Sequence, residues 1–297
     1  MSTVPSPTAQ DLRSRRVRRI LVWIFVANAL LVAVKIGVGV ATGSLSVLGD
    51  AAHSGTDALN NLVALVAIYF AAIPPDERHP YGHGKFETLG AFIIAGFLSV
   101  TCYEILKTAI ARLLRDAPPP DADPMMLLVL AATVPVNVAI AFYERRRGKE
   151  LDSELLLADA RHTSSDVWVT LSVLGGLGLV RLGLAQADAL LAILVAVVVA
   201  YSGWQIIRMT VPVLVDERVV DPQRVQEVAA SVDGVEGVTQ VRSRGRPGEG
   251  FAELTVHVRP ATHVREAHTI ADEVERTLTE ELDLRDVVVH VEPTELH

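Results

Sequence analysis

Six long runs of apolar residues, separated by short polar breaks, fill the first two-thirds of the chain. Residues 20–41, 45–72, 87–113, 125–143, 155–182 and 188–209 are each of a length suited to crossing about 30 Å of hydrocarbon as a helix rising about 1.5 Å per residue. The breaks are rich in turn formers. Thr42-Gly43-Ser44 predicts a tight turn, the stretch from Pro74 to Lys85 a polar loop, and Ala117-Pro118-Pro119-Pro120 a linker. Pro135 predicts a kink in the fourth run. Residues 1–17 are polar, which predicts a disordered N-terminus. Past Asp216 the pattern shortens. Residues 222–232 have helical period, 238–244 and 251–259 alternate as strands around a glycine-rich turn, 262–282 form an amphipathic helix, and 287–292 a last strand. The expected architecture is an α-helical membrane protein with six transmembrane helices over 18–212. A small C-terminal α+β domain over 213–297, with element order αββαβ, follows it. A sheet left open in so small a domain invites dimerisation.

Charge refines this picture. The formal net charge is −8. From Asp216 onward nine Lys and Arg stand against eighteen Asp and Glu, a net of −9, which leaves +1 to the first 215 residues. An acidic tail makes nucleic acid an unsuitable partner. One cysteine, Cys102, excludes an intramolecular disulfide or a thiolate cluster. The basic residues near the run ends also divide unevenly. Arg13 to Arg19, Arg78, Lys85, Arg145 to Lys149 and Arg208 fall on one side, against Arg112, Arg115 and Arg181 on the other. The positive-inside rule then places both termini in the cytoplasm, and the arginine-led first run continues too far to be a signal peptide. The expected location is a lipid bilayer, as an integral protein of a bacterial inner (plasma) membrane.

Two of the runs carry the same polar motif. Asp50, His53 and Asp57 in the second, and Asp159, His162 and Asp166 in the fifth, are both spaced D-x-x-H-x-x-x-D. At roughly 100° per residue these positions share one helical face. A charged side chain at the bilayer centre costs about 2.5–3.5 kcal/mol even on a lenient scale, so two matched copies point to function. His53, Asp57, His162 and Asp166 offer two nitrogens and two oxygens, a four-ligand set that suits zinc. Asp50 and Asp159 lie a turn earlier, placed to orient imidazoles or relay protons, or simply to pack helices. A second constellation, Asp76, His79 and His83, lies in the polar loop beside Gly82 and Gly84, and its spacing again suits a metal. A third, comprising His257, His263, His268, His290 and Glu292, lies in the acidic tail; His290 and Glu292 share a strand face.

Taken together, the six spans, the paired H-x-x-x-D motifs, the loop ending Gly82-His83-Gly84-Lys85 and the αββαβ tail resemble the cation diffusion facilitator family over nearly the whole chain. The resemblance implies a homodimeric exporter of divalent cations, zinc-type because His53 stands where manganese- and iron-type members often have Asp, driven by proton antiport. It implies a ferredoxin-like cytosolic domain. It implies that His53, Asp57, His162 and Asp166 form the transport site, and that Asp76, His79 and His83 form a site at the membrane–cytosol boundary. His268, His290 and Glu292 fall where some members bind zinc between C-terminal domains, although Thr239 and Thr255 replace two histidines of those members. Lys85 and Asp216 match an interlock at the dimer interface. Zinc is thus the expected substrate and regulatory ligand, and protons the counter-ion. Two other readings stand beside this one. An intramembrane metal hydrolase would need an H-E-x-x-H motif, which the sequence lacks. A membrane-bound metal sensor would bind the ion without moving it.

Overall fold

The structure, a computed structural model, describes residues 9–43, 45–115, 124–181, 187–246 and 248–294. Six long helices come first: α1 (Ala9–Thr42), α2 (Leu45–Ala71), α3 (Lys85–Arg115), α4 (Pro124–Glu150), α5 (Glu154–Arg181) and α6 (Ala187–Leu214). Among the described residues, four stretches are long and apolar enough to cross a membrane: Leu12–Thr42, Lys85–Leu114, Pro124–Glu150 and Ala189–Leu214. α2 and α5 are comparable in length, at 27 and 28 residues. Their motifs dilute the hydropathy, and in α2 the continuously apolar part is Asn60–Ala71.

The chain divides into two compact units, Met1–Thr210 and Val211–His297. In the first, Leu21 and Ile24 of α1, Ile68 of α2, Ile94 and Leu98 of α3, Leu155 and Leu156 of α5, and Val199 and Ile206 of α6 meet in one core. α2 and α3 approach so closely that a Cβ on Gly90 would collide with that of Ala67, the small-residue contact that brings helices together in lipid. The outer surface is apolar as well. Trp23, Leu30 and Val40 of α1, Tyr103 of α3, and Val197 and Trp204 of α6 all stand exposed, as expected where the solvent is hydrocarbon.

Two helix limits differ from the sequence expectation. Residues 1–8 lie outside the described residues, but from Ala9 the segment expected to be disordered is the start of α1. Arg13 folds back there to donate to Glu87 at 3.0 Å and to the carbonyls of Leu151 and Asp152 at 2.6 and 2.7 Å, while Val17 is fully buried. α4 continues past Tyr143 to Glu150, which accepts from Arg146 at 2.9 Å and Arg147 at 2.8 Å. Pro135 lies inside that helix.

The second unit holds α7 (Pro222–Ala230), β1 (Gly237–Arg244), β2 (Gly250–Val258), α8 (Val264–Leu282) and β3 (Leu284–Pro293), the αββαβ order expected. Asp221 caps α7 by accepting from the Gln223 N–H, with Pro222 at the first helical position. β2 is central, antiparallel to β1 and parallel to β3, and α8 makes the crossover. Alternation along β2 sends Ala252, Leu254, Val256 and Val258 into a core with Val225 and Val228 of α7 and Val274 and Leu278 of α8. Both helices therefore cover one sheet face and leave the other uncovered within the unit. β3 begins at Leu284, ahead of the expected 287, because Asp283 closes α8 in a left-handed conformation, φ 50°, and Leu284 enters the core directly.

Candidate metal centre

A cavity of about 210 Å³ lies within the first unit. Its wall carries Asp159, His162 and Asp166 of the second motif, together with Asp50 of the first. The helical spacing that selected these residues also explains why they line the cavity, since each motif presents its polar groups on one face. The His162 Nε2 lies 3.8 Å from Asp166 Oδ2, and both side chains are largely shielded, at 5% and 22% exposure. The side chains of His53 and Asp57 lie outside the described residues; the backbone places both positions on α2, on the face that carries Asp50.

α2 and α5 are tied together at the cavity by asparagines. Asn60 meets the His162 ring nitrogen Nε2. Asn61 donates to both oxygens of the wholly buried Asp159, at 3.3 and 3.1 Å, and accepts from Asn28 of α1 at 2.7 Å. From α4, the wholly buried Glu144 accepts from Thr163 at 3.2 Å and sits beside Asp159. Asp50 is engaged by a residue of α1: Lys35 Nζ lies 2.8 Å from its Oδ2 and donates to Ser54 Oγ at 2.7 Å. Lys35, Asn60, Asn61 and Glu144 do not appear among the residues picked out from the sequence. Lys35 carried the clearest signal, a lysine inside an apolar run; Glu144 is masked by the arginines that follow it.

The loop between α2 and α3 forms a second centre. The Asp76 carboxylate accepts the N–H groups of His79 and Arg78 at 2.7 and 2.9 Å, closing a local turn. The His79 bond, then that of Arg78, holds its carboxyl below the usual carboxylate range, with His83 and His79 lowering it further. His79 Nδ1 stands 3.3 Å from Asp76 Oδ1, and the buried His83 places Nε2 3.5 Å from Oδ2. One ligand atom from each of the three lies within 4.8 Å of the others. Gly82, at φ +85°, turns the chain between the two histidines, and Phe86 stacks on His83 with ring centroids 5.8 Å apart. Among the described residues this is the one group of three such ligands that converges.

In the second unit the three expected ligands do not converge within one protomer. His290 and Glu292 lie 3.2 Å apart on β3, on the uncovered sheet face. His268 is on the outer side of α8, exposed and 3.7 Å from Asp272. The sheet stands between them, because Val287 of β3 and Val274 of α8 face each other across the core. Thr239 contacts His257 at 2.8 Å across β1 and β2.

Comparison with known proteins bears on both units. Residues 21–215 match the family described as the cation efflux transmembrane domain, and residues 219–294 match that described as the cation efflux protein cytoplasmic domain. The uncharacterised transporter MJ0449 of Methanocaldococcus jannaschii is 31% identical over 94% of this chain and 99% of its own length. The cation-efflux pumps FieF of Escherichia coli and Klebsiella pneumoniae are 28% and 29% identical, over 89% and 90% of this chain and 89% of their own lengths. A solved C-terminal domain of MamM is 28% identical over 25% of this chain and 92% of its own, with a TM-score of 0.24.

Proposed function

The chain belongs to the cation efflux family, and from that membership we propose that it exports a divalent metal cation, zinc foremost, in exchange for protons. It is an integral membrane transporter and not an enzyme. The observation that carries the metal reading is the cavity, whose wall carries His162 and Asp166, 3.8 Å apart, together with Asp159 and Asp50. His162 and Asp166 of α5, with His53 and Asp57 of α2, are the proposed transport ligands; mixed imidazole and carboxylate donors favour zinc over the harder manganese.

Proton exchange follows from competition. A metal needs imidazole neutral and carboxylate ionised, so protons and metal contend for the same lone pairs. A site that faces each side of the membrane in turn takes metal from the less acidic side and yields it to the more acidic one. The basic residues at the α1 start and the α4 end support cytoplasmic termini, which for a bacterial host means export through the inner membrane. Asp76, His79 and His83 form the proposed boundary site. His268, His290 and Glu292 are proposed to bind metal between the second units of a homodimer, joining ligands that one protomer holds apart.

A sensor reading has one observation in its favour: the loop triad already lies assembled outside the helices. Flux separates the two. Purified protein in sealed vesicles with an imposed pH gradient is offered zinc, cadmium, cobalt, iron and manganese in turn while lumenal metal and pH are followed. The proposal expects zinc to enter fastest with protons moving oppositely. Metal that binds but never crosses would establish the sensor, and zinc entry without proton movement would leave a uniporter.

A further inference from the structure

Lys35 lies two turns before the C-terminal end of α1, 6% exposed, on the wall of the cavity that also carries Asp159, His162 and Asp166. Its ammonium is fixed by two residues of α2, Asp50 at 2.8 Å and Ser54 at 2.7 Å. Asp50 and Ser54 are four apart, so they brace one charge from adjacent turns. Stability alone does not account for such a pair, because two charges removed from water contribute little net and an apolar pair of similar size is often as stable. The pair places an ammonium on the wall of the cavity where a divalent cation is proposed to bind.

We propose that Lys35 is a tethered competitor for the transported ion, setting how weakly the cavity holds its metal and so how readily it lets the metal go. The inference rests on the reading of the cavity as the transport site. A carrier must bind its ion firmly enough to load and loosely enough to unload. Asp50, Asp159 and Asp166 draw a divalent cation in; the ammonium opposes it through a medium that screens poorly. When the metal departs, Lys35 leaves the carboxylates with one neutralising charge already in place.

The test is a charge cycle read in zinc flux into proteoliposomes, with KM and maximal rate taken separately. Lys35→Met removes the opposing charge, so KM is expected to fall about tenfold while the maximal rate also falls, release having slowed. Asp50→Asn leaves the ammonium without its partner, and KM is expected to rise about tenfold. The double variant K35M/D50N should return KM to within about threefold of the original, and Lys35→Arg, which keeps the charge, should change it less than Lys35→Met does. If K35M is not recovered folded, D50N against the double variant still decides, because removing the ammonium must then restore KM. A purely structural ion pair predicts that both single variants raise KM or lose protein together. That result, or a KM that Lys35→Met leaves unchanged while the original protein transports, would overturn the inference and leave the transport reading intact. A wild-type protein that moves no divalent ion would overturn both.

Discussion

The groups closest to the proposed chemistry differ in what they have to tolerate. Asp166 sits against His162 on the wall of the cavity, 22% exposed, where a carboxylate is retained for a counter-ion rather than for solvation alone. Asp166→Ala is expected to lower zinc flux by at least about a hundredfold, as loss of one of four ligands does in a closed site, with little change in melting temperature. Retained flux in the folded variant would remove Asp166 from the site. Asp76 is the opposite case, a half-exposed carboxylate whose two backbone partners favour its ionised form. Its folded pKa lies below the unfolded one, so the turn it closes is fully supported above the ordinary carboxylate range and weakens as pH falls through the lowered value. Above that lowered value Asp76 is already ionised, so it gives up no proton when a cation binds the loop. Asp76→Asn should weaken zinc binding to the loop yet leave the pH midpoint of that binding where it was. A midpoint that moves with the substitution would show that Asp76 is the competing group.

At the scale of the elements, α2 packs mainly on α1 and α5 on α4, and where α2 and α5 meet the seam is polar. Asn61 donates to both oxygens of Asp159, which also meets Glu144 and is otherwise sealed among helices. Removing those bonds leaves a buried carboxylate short of partners, at a cost of about 1–3 kcal/mol or more for a charged acceptor. Asn61→Ala is therefore expected to lower the melting temperature of the detergent-solubilised protein by several degrees, whereas Asn28→Ala, which touches Asp159 only through Asn61, should cost less. Equal losses would mean that the seam is held by packing alone. The motif faces were readable because a spacing of three and four residues encodes a helical face whatever the partner helix is. The partners were not readable. Lys35 is averaged into an apolar run, Asn60 and Asn61 are polar but uncharged and give no periodic signal, and Glu144 reads as the edge of a basic segment. The N-terminal limit failed for a related reason. An arginine-rich stretch reads as a solvated tail, and the acceptors that fold Arg13 inward, Glu87 and the Leu151 and Asp152 carbonyls, lie far along the chain.

The molecule as a whole separates two kinds of surface. The first unit, near neutral in charge, wears apolar side chains outward; the second carries the net charge of −9 and keeps a water-soluble exterior around its own core. A core of Val225, Val228, Leu254, Val256, Val274, Leu278 and Val287 closes without any residue of the helical unit, so residues 216–297 should fold when expressed alone. The uncovered sheet face then has no cover within the fragment. It presents Val288, His290 and Glu292 of β3 beside Phe251 and Glu253 of β2, and a half-apolar sheet face in a domain of this size is readily covered by a second copy. The expected result is a folded fragment that is dimeric by analytical ultracentrifugation, tightened by zinc if His290 and Glu292 of one protomer share an ion with His268 of the other. Removing the exposed imidazole by His290→Ala should abolish the zinc effect and spare the fold. A fragment that stays monomeric at high concentration, with or without zinc, would move the dimer contact to the helical unit. In that case the ions bound by the second unit would be matters for a single chain.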